Sequence, residues 1–345
     1  MTSISDQWIK AVEHRFVELE KFDFNRHQMV DVLESEFGLR ITDTVIDNLY
    51  RKFPPKNKAL QLLATDVTTA LFPPKYYEKD PNDPIFQIKD ELASLYYHYK
   101  GKVRKILVLS DLHVPYVNFA ALDIALLAHP DADLVIINGD FLDLEGFSKF
   151  SKSHGHDFTE ELKIAQMILD VIVKRYPHVI LISGNHELSR VRNTVNHSLD
   201  ASIRGWATKQ LNPLAKLAEK YDNVTAVNNH YLQLGGCVFN HPNNYSRPFL
   251  STITRQIDIF KANGVELLPD PNHFQAMVQG HTHDLGGGMI NDILGLEQGC
   301  LCSRYMEYKH HNPSGRRWTH GYAVVYLDAN DDVDFNETRN FIIKD

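Results

Sequence analysis

KILVLSDLH, residues 105–113, decides the reading of this chain: a short run that belongs inside a sheet, then at once a carboxylate and an imidazole two positions apart. An unbroken apolar run rich in branched side chains fits a strand buried on both faces. The same grammar returns in DLVIINGDFLD (133–143) and VILISGNHE (179–187). Helix-compatible stretches, Phe119–Ala128 and Thr159–Tyr176, lie between these runs. The rhythm is β-α-β-α-β, which predicts an α/β fold. Further short strands are predicted near Val238–Phe239, Ala276–Val278, Gly288–Asn291 and Tyr322–Leu327.

Open α/β sheets build their sites at the carboxyl ends of strands. Here each predicted strand runs straight into groups able to bind metal. Asp111 and His113 follow the first; Gly139, Asp140 and Asp143 the second; Gly184, Asn185, His186 and Glu187 the third. His241 follows CVFN, and Gly280-His281-Thr282-His283 follows AMVQ. Taken singly, each piece is ordinary. An Asp after a strand is often a helix cap, and an Asx-Gly turn is commonplace. Five clusters of compatible chemistry at five successive strand ends are not ordinary.

As a set, Asp111-x-His113, Gly139-Asp140-x-x-Asp143, Gly184-Asn185-His186-Glu187, His241 and Gly280-His281-Thr282-His283 resemble the five signature motifs of the calcineurin-like metallophosphoesterases. The resemblance covers roughly residues 102–330. It implies a four-layer αββα sandwich around two divalent metal ions, Mn²⁺ first, with Fe²⁺, Zn²⁺ or Ni²⁺ as alternatives. Mixed carboxylate and imidazole ligands suit such ions. Two ions about 3.5–4 Å apart need a bridging carboxylate, and Asp140, in a tight strand-end turn, is placed to bridge. The resemblance puts Asp111, His113 and His283 with it around one metal, and Asn185, His241 and His281 around the other. Residues two apart in an extended segment share a face, so His281 and His283 need a local bend to reach different ions.

The resemblance also gives His186 a catalytic role, contacting the phosphate and protonating the leaving oxygen. Asp143 and Glu187 are candidates for orienting the histidines, with a turn or cap role as the competing reading. The implied mechanism is in-line attack of a metal-bound hydroxide on phosphorus. The fourth motif commonly reads Gly-His. Here it is Asn240-His241-Pro242, and His230 upstream is the competing ligand. Protein phosphatases of this superfamily usually continue the second motif with Arg-Gly; Leu144 and Glu145 stand there instead. The wording is closer to the nuclease and small phosphodiesterase branches.

Arg190 and Arg192, just after His186, are candidate phosphate-binding residues. Asn243–Arg247 and Ser303-Arg304-Tyr305 are loops that also hint at a substrate with a nucleoside part. The expected function is a phosphodiesterase or nuclease acting on nucleic acid, with DNA as one candidate substrate. The alternatives are a phosphomonoesterase for a nucleotide or small phosphate, and a DNA-binding protein with a vestigial catalytic domain.

Residues 1–100 read as a separate small all-α domain, and 101–345 as the catalytic domain. Arg26–Phe37, Gly38 and Thr42–Phe53 resemble a helix-turn-helix. Charge argues against strong DNA binding there: 13 Lys+Arg against 16 Asp+Glu leave a balance of −3. The whole chain has 345 residues, 43% hydrophobic and 23% charged, with a net charge of −8. Such a balance gives no global attraction to nucleic acid or anionic membranes. No apolar leader and no membrane-length apolar stretch is read, and the three cysteines are expected to be reduced, so the expected location is cytoplasmic.

Overall fold

The computed structural model describes residues 84–148, 157–198, 210–304 and 318–344, together with Leu33, Asp200, Ile203 and Ala207. The chain divides into two compact units, Met1–Asp80 and Pro81–Asp345. In the first unit only Leu33 is described; it is helical and buried. The helix-turn-helix reading otherwise falls outside the described residues.

The second unit opens with helix α1, Pro84–Tyr99. The sequence reading gave this segment to the N-terminal domain. The structure divides the units earlier, at Asp80–Pro81, because Leu92 and Tyr99 of α1 pack into the core of the second unit.

Strand β1, Lys105–Leu109, lies inside a six-stranded sheet of order β11-β10-β1-β2-β3-β4. The sheet's other strands are β2 (Leu134–Asn138), β3 (His178–Ile182), β4 (Val224–Val227), β10 (Gly321–Tyr326) and β11 (Arg339–Ile342). β1 to β4 are mutually parallel, while β10 runs against β1. Parallel neighbours need crossovers, and helices α2 (Phe119–Ala128) and α3 (Phe158–Arg175) supply the first two. Asn118 starts α2 by accepting the Ala121 amide, and Asp157 starts α3 by accepting the Thr159 amide.

The second sheet has the order β5-β6-β7-β9-β8. It comprises β5 (Tyr231–Leu234), β6 (Cys237–Asn240), β7 (Ala276–Gln279), β8 (Leu285–Ile290) and β9 (Ile293–Gln298). The remaining described helices are α4 (Val191–Ser198), α5 (Pro213–Ala218) and α6 (Ser251–Leu267).

Alternation along the strands builds three cores. Leu107 and Leu109 face the α2/α3/α5 side, while Ile106 and Val108 face the second sheet, where they meet Phe239, Ala276 and Val278. Val238, Met277 and Ile293 face the other way, against Ile253, Ile257 and Phe260 of α6. Helices, sheet, sheet and helix thus form four layers, the αββα sandwich. Each fully buried aliphatic side chain contributes about 1.5–3 kcal/mol. The parallel strands of both sheets end at one edge of the sandwich, and the polar clusters sit there. Among the described residues no helix is long and apolar enough to cross a membrane. The three cysteines are free and buried.

Candidate metal centre

Strand ends deliver the groups, but the backbone must then turn sharply to aim them. Asp111, His113, Asp140, His281 and His283 all take positive φ, between 46° and 79°. Non-glycine residues rarely enter this region, Asp and His more readily than most, at a cost of order 1–3 kcal/mol each. The bend that the pair His281/His283 requires is therefore built from left-handed residues. The two side chains part company, and each joins a different group.

His283 Nε2 lies 2.9 Å from Asp111 Oδ1 and 3.1 Å from His113 Nε2. His113 Nδ1 is held by Asp143 Oδ1 at 3.1 Å. His283 Nδ1 faces the Cys302 thiol at 4.0 Å. Both rings therefore present Nε2 to the same point beside Asp111. On the other side, His241 Nε2 lies 3.2 Å from Asp140 Oδ2, and His281 Nδ1 lies 2.7 Å from Asn185 Oδ1. Candidate ligand atoms cluster within 4.8 Å of one another in three groups: His113–His283–Cys302, His113–Asp140–His186 and Asp140–His241–His281.

These residues fit divalent cations. His241 Nε2 is buried, lies 3.2 Å from Asp140 Oδ2 and has no hydrogen-bond partner, an orphaned nitrogen that a cation shared with that carboxylate would satisfy. His241 Nδ1 meets the carbonyl of Asn138 at 2.8 Å, which fixes the ring. The competing candidate, His230, turns its Nε2 to Asn243 at 2.7 Å, and gives the His241 amide only its backbone carbonyl.

The charges need a cation too. Burial raises the pKa of Asp111 and Asp140, but neighbouring imidazoles, led by His283 for Asp111 and His186 for Asp140, hold both well below the carboxylate range. Against burial, Asp111 and Asp143 push His113 up to about 10, and Asp140 and Asp111 push His241 up to about 9. The imidazoles take protons because the buried carboxylates demand positive charge.

Asp143 and Glu187 play different parts. Asp143 orients His113 and lies 3.5 Å from His186 Nδ1. Glu187 instead accepts the amides of Leu142 and Gly184, both at 2.9 Å, clamping the second motif to the third. Burial and Asp140 raise its pKa to about 7.

His186 and Arg190 share one wide helical turn of π type, His186–Arg190, a feature frequent at functional sites. His186 Nδ1 donates to the Asp143 carbonyl at 2.8 Å. Arg190 donates from Nη2 to His186 Nε2 at 2.9 Å, and from Nη1 to the Asp143 carbonyl at 2.6 Å. Burial, with the nearby charge on His113 and Arg190, lowers His186 to about 3. Arg192 is exposed on α4, and its charge helps to lower the pKa of His230. Ser303 bonds through its amide to the Tyr116 carbonyl, and Tyr305 lies outside the described residues.

Three residues escaped the sequence reading. Asn138 ends β2, and its side-chain amide donates to the carbonyls of Asn240 and Val278, both at 3.2 Å, tying the second sheet to the first. Glu161 on α3 accepts the Leu144 amide at 2.7 Å. Cys302 backs His283. Only Asn138 left a trace: a carboxamide at the end of an otherwise apolar buried run.

Gly184 has no room for a side chain, because a Cβ there would collide with the Asp140 carboxylate and amide. Gly184→Ala is expected to cost about 1–3 kcal/mol and to weaken metal binding by displacing Asp140. Thermal melting and a metal titration check this; unchanged metal affinity would contradict it.

A family model described as calcineurin-like phosphoesterase matches residues 104–335, and the chain belongs to that family. It is a metal-dependent phosphoester hydrolase. No curated protein matches it. Solved structures similar to it include a predicted phosphoesterase from Streptococcus pneumoniae, at 12% identity over 70% of this chain and 98% of that one, with a TM-score of 0.29. An archaeal phosphodiesterase matches at 14% identity over 69% and 99%, with a TM-score of 0.35. Zinc-bound Vps29 from Entamoeba histolytica matches at 13% identity over 69% and 98%, with a TM-score of 0.32. The family assignment rests on the model match and not on these likenesses.

Proposed function

We propose that this protein is a two-metal phosphodiesterase acting on nucleotidyl diesters, nucleic acid included. The observation that carries the reading is Asp140. Its carboxylate belongs to two separate ligand groups, one with His113 and one with His241 and His281, as a bridge between two ions requires. Asp111, His113 and His283 would complete one site; Asn185, His241 and His281 the other. A bound pair of divalent ions, Mn²⁺ first, would supply Lewis acidity, acidifying water and neutralising phosphoryl charge.

The protein's own groups supply orientation. Arg190, anchored on the Asp143 carbonyl, sets a guanidinium beside His186, where it can clamp a phosphoryl oxygen. His186 is an acceptor at Nε2 while Arg190 donates to it. Protonation of a leaving oxygen by His186 needs that contact broken and Nε2 protonated first. The chain's net charge of −8 leaves these local cations to attract a phosphodiester.

Metal-stripped protein with and without Mn²⁺, assayed on the mono and bis p-nitrophenyl phosphates and on DNA, tests the reading. Metal-dependent cleavage of the bis ester is expected, and Arg190→Ala is expected to raise KM about tenfold or more, the loss of one charge-assisted clamp. Turnover of the mono ester alone would replace this proposal with a phosphomonoesterase.

A further inference from the structure

The segment after His241 brings an exposed tyrosine beside His281 of the second ligand group. Tyr245 is 43% exposed, and its ring centroid lies 6.5 Å from that of His281 at an interplanar angle of 76°. The two rings meet edge to face. Phe249, 62% exposed, lies over Gly286, whose missing side chain leaves the room for it.

The segment that presents Tyr245 is tied on both sides. Before it, Asn243 Oδ1 accepts from Ser189 Oγ at 2.8 Å, and Asn243 Nδ2 meets His230 Nε2 at 2.7 Å. After it, the Ser246 amide donates to Thr252 Oγ1 at 3.0 Å, and Thr252 returns a bond to the Ser246 carbonyl at 3.3 Å. Ser189 belongs to the turn that carries His186 and Arg190. Tyr245 is thus held at a set place relative to the phosphate-facing groups. A fixed backbone spent on an exposed ring is what a recognition platform needs, because Tyr offers broad contact area at low entropic cost.

We infer that Tyr245 forms a stacking subsite for a flat heteroaromatic ring, the base of a nucleotidyl phosphodiester, beside the His281 side of the centre. The inference rests on the phosphodiesterase reading and names its substrate class. Base–aromatic stacking tolerates any base, so the subsite selects for a nucleoside and not for a sequence.

The test uses two diesters with one leaving group: the p-nitrophenyl ester of thymidine 5′-phosphate and p-nitrophenyl methyl phosphate. The full chain with Mn²⁺ is compared with Tyr245→Ala and Tyr245→Phe, and calorimetric binding of thymidine 5′-phosphate is measured alongside. Expected is a preference in kcat/KM for the nucleoside ester that falls about tenfold or more in Tyr245→Ala and returns in Tyr245→Phe, the scale of one lost stack. Turnover of both esters with a ratio that Tyr245→Ala leaves unmoved overturns the subsite and leaves the phosphodiesterase reading standing. No turnover, but nucleotide binding that Tyr245→Ala weakens, upholds the subsite and overturns that reading. Neither turnover nor Tyr245-dependent binding overturns both.

Discussion

Asp140→Asn is expected to abolish phosphodiester hydrolysis, by about 10³-fold or more, while the fold survives. Loss of even an outer partner of a metal ligand costs about 10–100-fold, and Asp140 is placed to touch both ions. The change is nearly isosteric. The amide oxygen can still accept the His186 amide, which Asp140 Oδ1 holds at 2.9 Å, so the turn between the second and third motifs keeps its tie. What disappears is the charge that His241 meets at 3.2 Å and His186 at 3.6 Å. Two ions cannot then share an anionic bridge. Metal analysis after dialysis should fall from two ions per chain to one or none, and circular dichroism should not change. An Asn variant that keeps two ions and a tenth of the activity would refute the bridging role. His241→Ala gives the useful contrast, because it strips only the second group and leaves Asp111, His113 and His283 intact.

The site was more legible than the fold around it, for a physical reason. A metal centre needs particular side chains at particular strand ends, so the candidate ligands Asp111, Asp140, Asn185, His241 and His283 stand out in the sequence. The strands that end in those ligands also read clearly, because burial on both faces demands unbroken Val, Ile and Leu. The edges did not. Strand β8 runs Leu285–Ile290 through three glycines, where no side chain records the pairing; only its end was expected, near Gly288–Asn291. Strands β4, β5 and β11 are short, and tertiary context decides them. Helix α6 covers a sheet face, yet its sequence mixes Arg255, Asp258 and Lys261 with its buried residues. Outer supports were the hardest to see. The Asn138 carbonyl meets the His241 ring and the Glu187 carboxylate accepts the Leu142 amide, both partners far along the chain, and nothing local announces either bond.

Metal should stabilise this protein more as the pH rises. In protein stripped of metal, His113 at about 10 and His241 at about 9 hold protons that the unfolded chain gives up near 6.5. A pKa raised on folding contributes stability that is fully present below the unfolded value and is lost as pH climbs through the folded one. The buried acids add the same sign: Glu161 at about 8 and Glu187 at about 7 stay protonated in the fold where the unfolded chain has ionised. Desolvation dominates Glu161, and Asp143 adds to it. His186 at about 3, with His281 and His230 at about 4, oppose this up to about pH 7.5, above which the unfolded rings hold almost no protons for the folded ones to refuse. Between pH 6.5 and 8.5 His113, His241, Glu161 and Glu187 all lower the stability of the stripped protein, and together they outweigh the fading opposition of the depressed histidines. Divalent cations reverse this by taking the place of the protons on His113 and His241, so binding releases protons and tightens with pH. Each site held at about 100 times its Kd contributes about 2.7 kcal/mol. For a unit of this size that is roughly 5–10 °C per ion. Calorimetry of chelator-treated protein at pH 6.5 and 8.5, with and without Mn²⁺, should show a melting temperature that falls with pH in the stripped protein. The upward shift on adding Mn²⁺ should be larger at pH 8.5. A stripped protein that melts higher at pH 8.5 than at 6.5, or a metal shift equal at both, would mean that the buried carboxylates do not hold protons on His113 and His241, and that the centre is not waiting for positive charge.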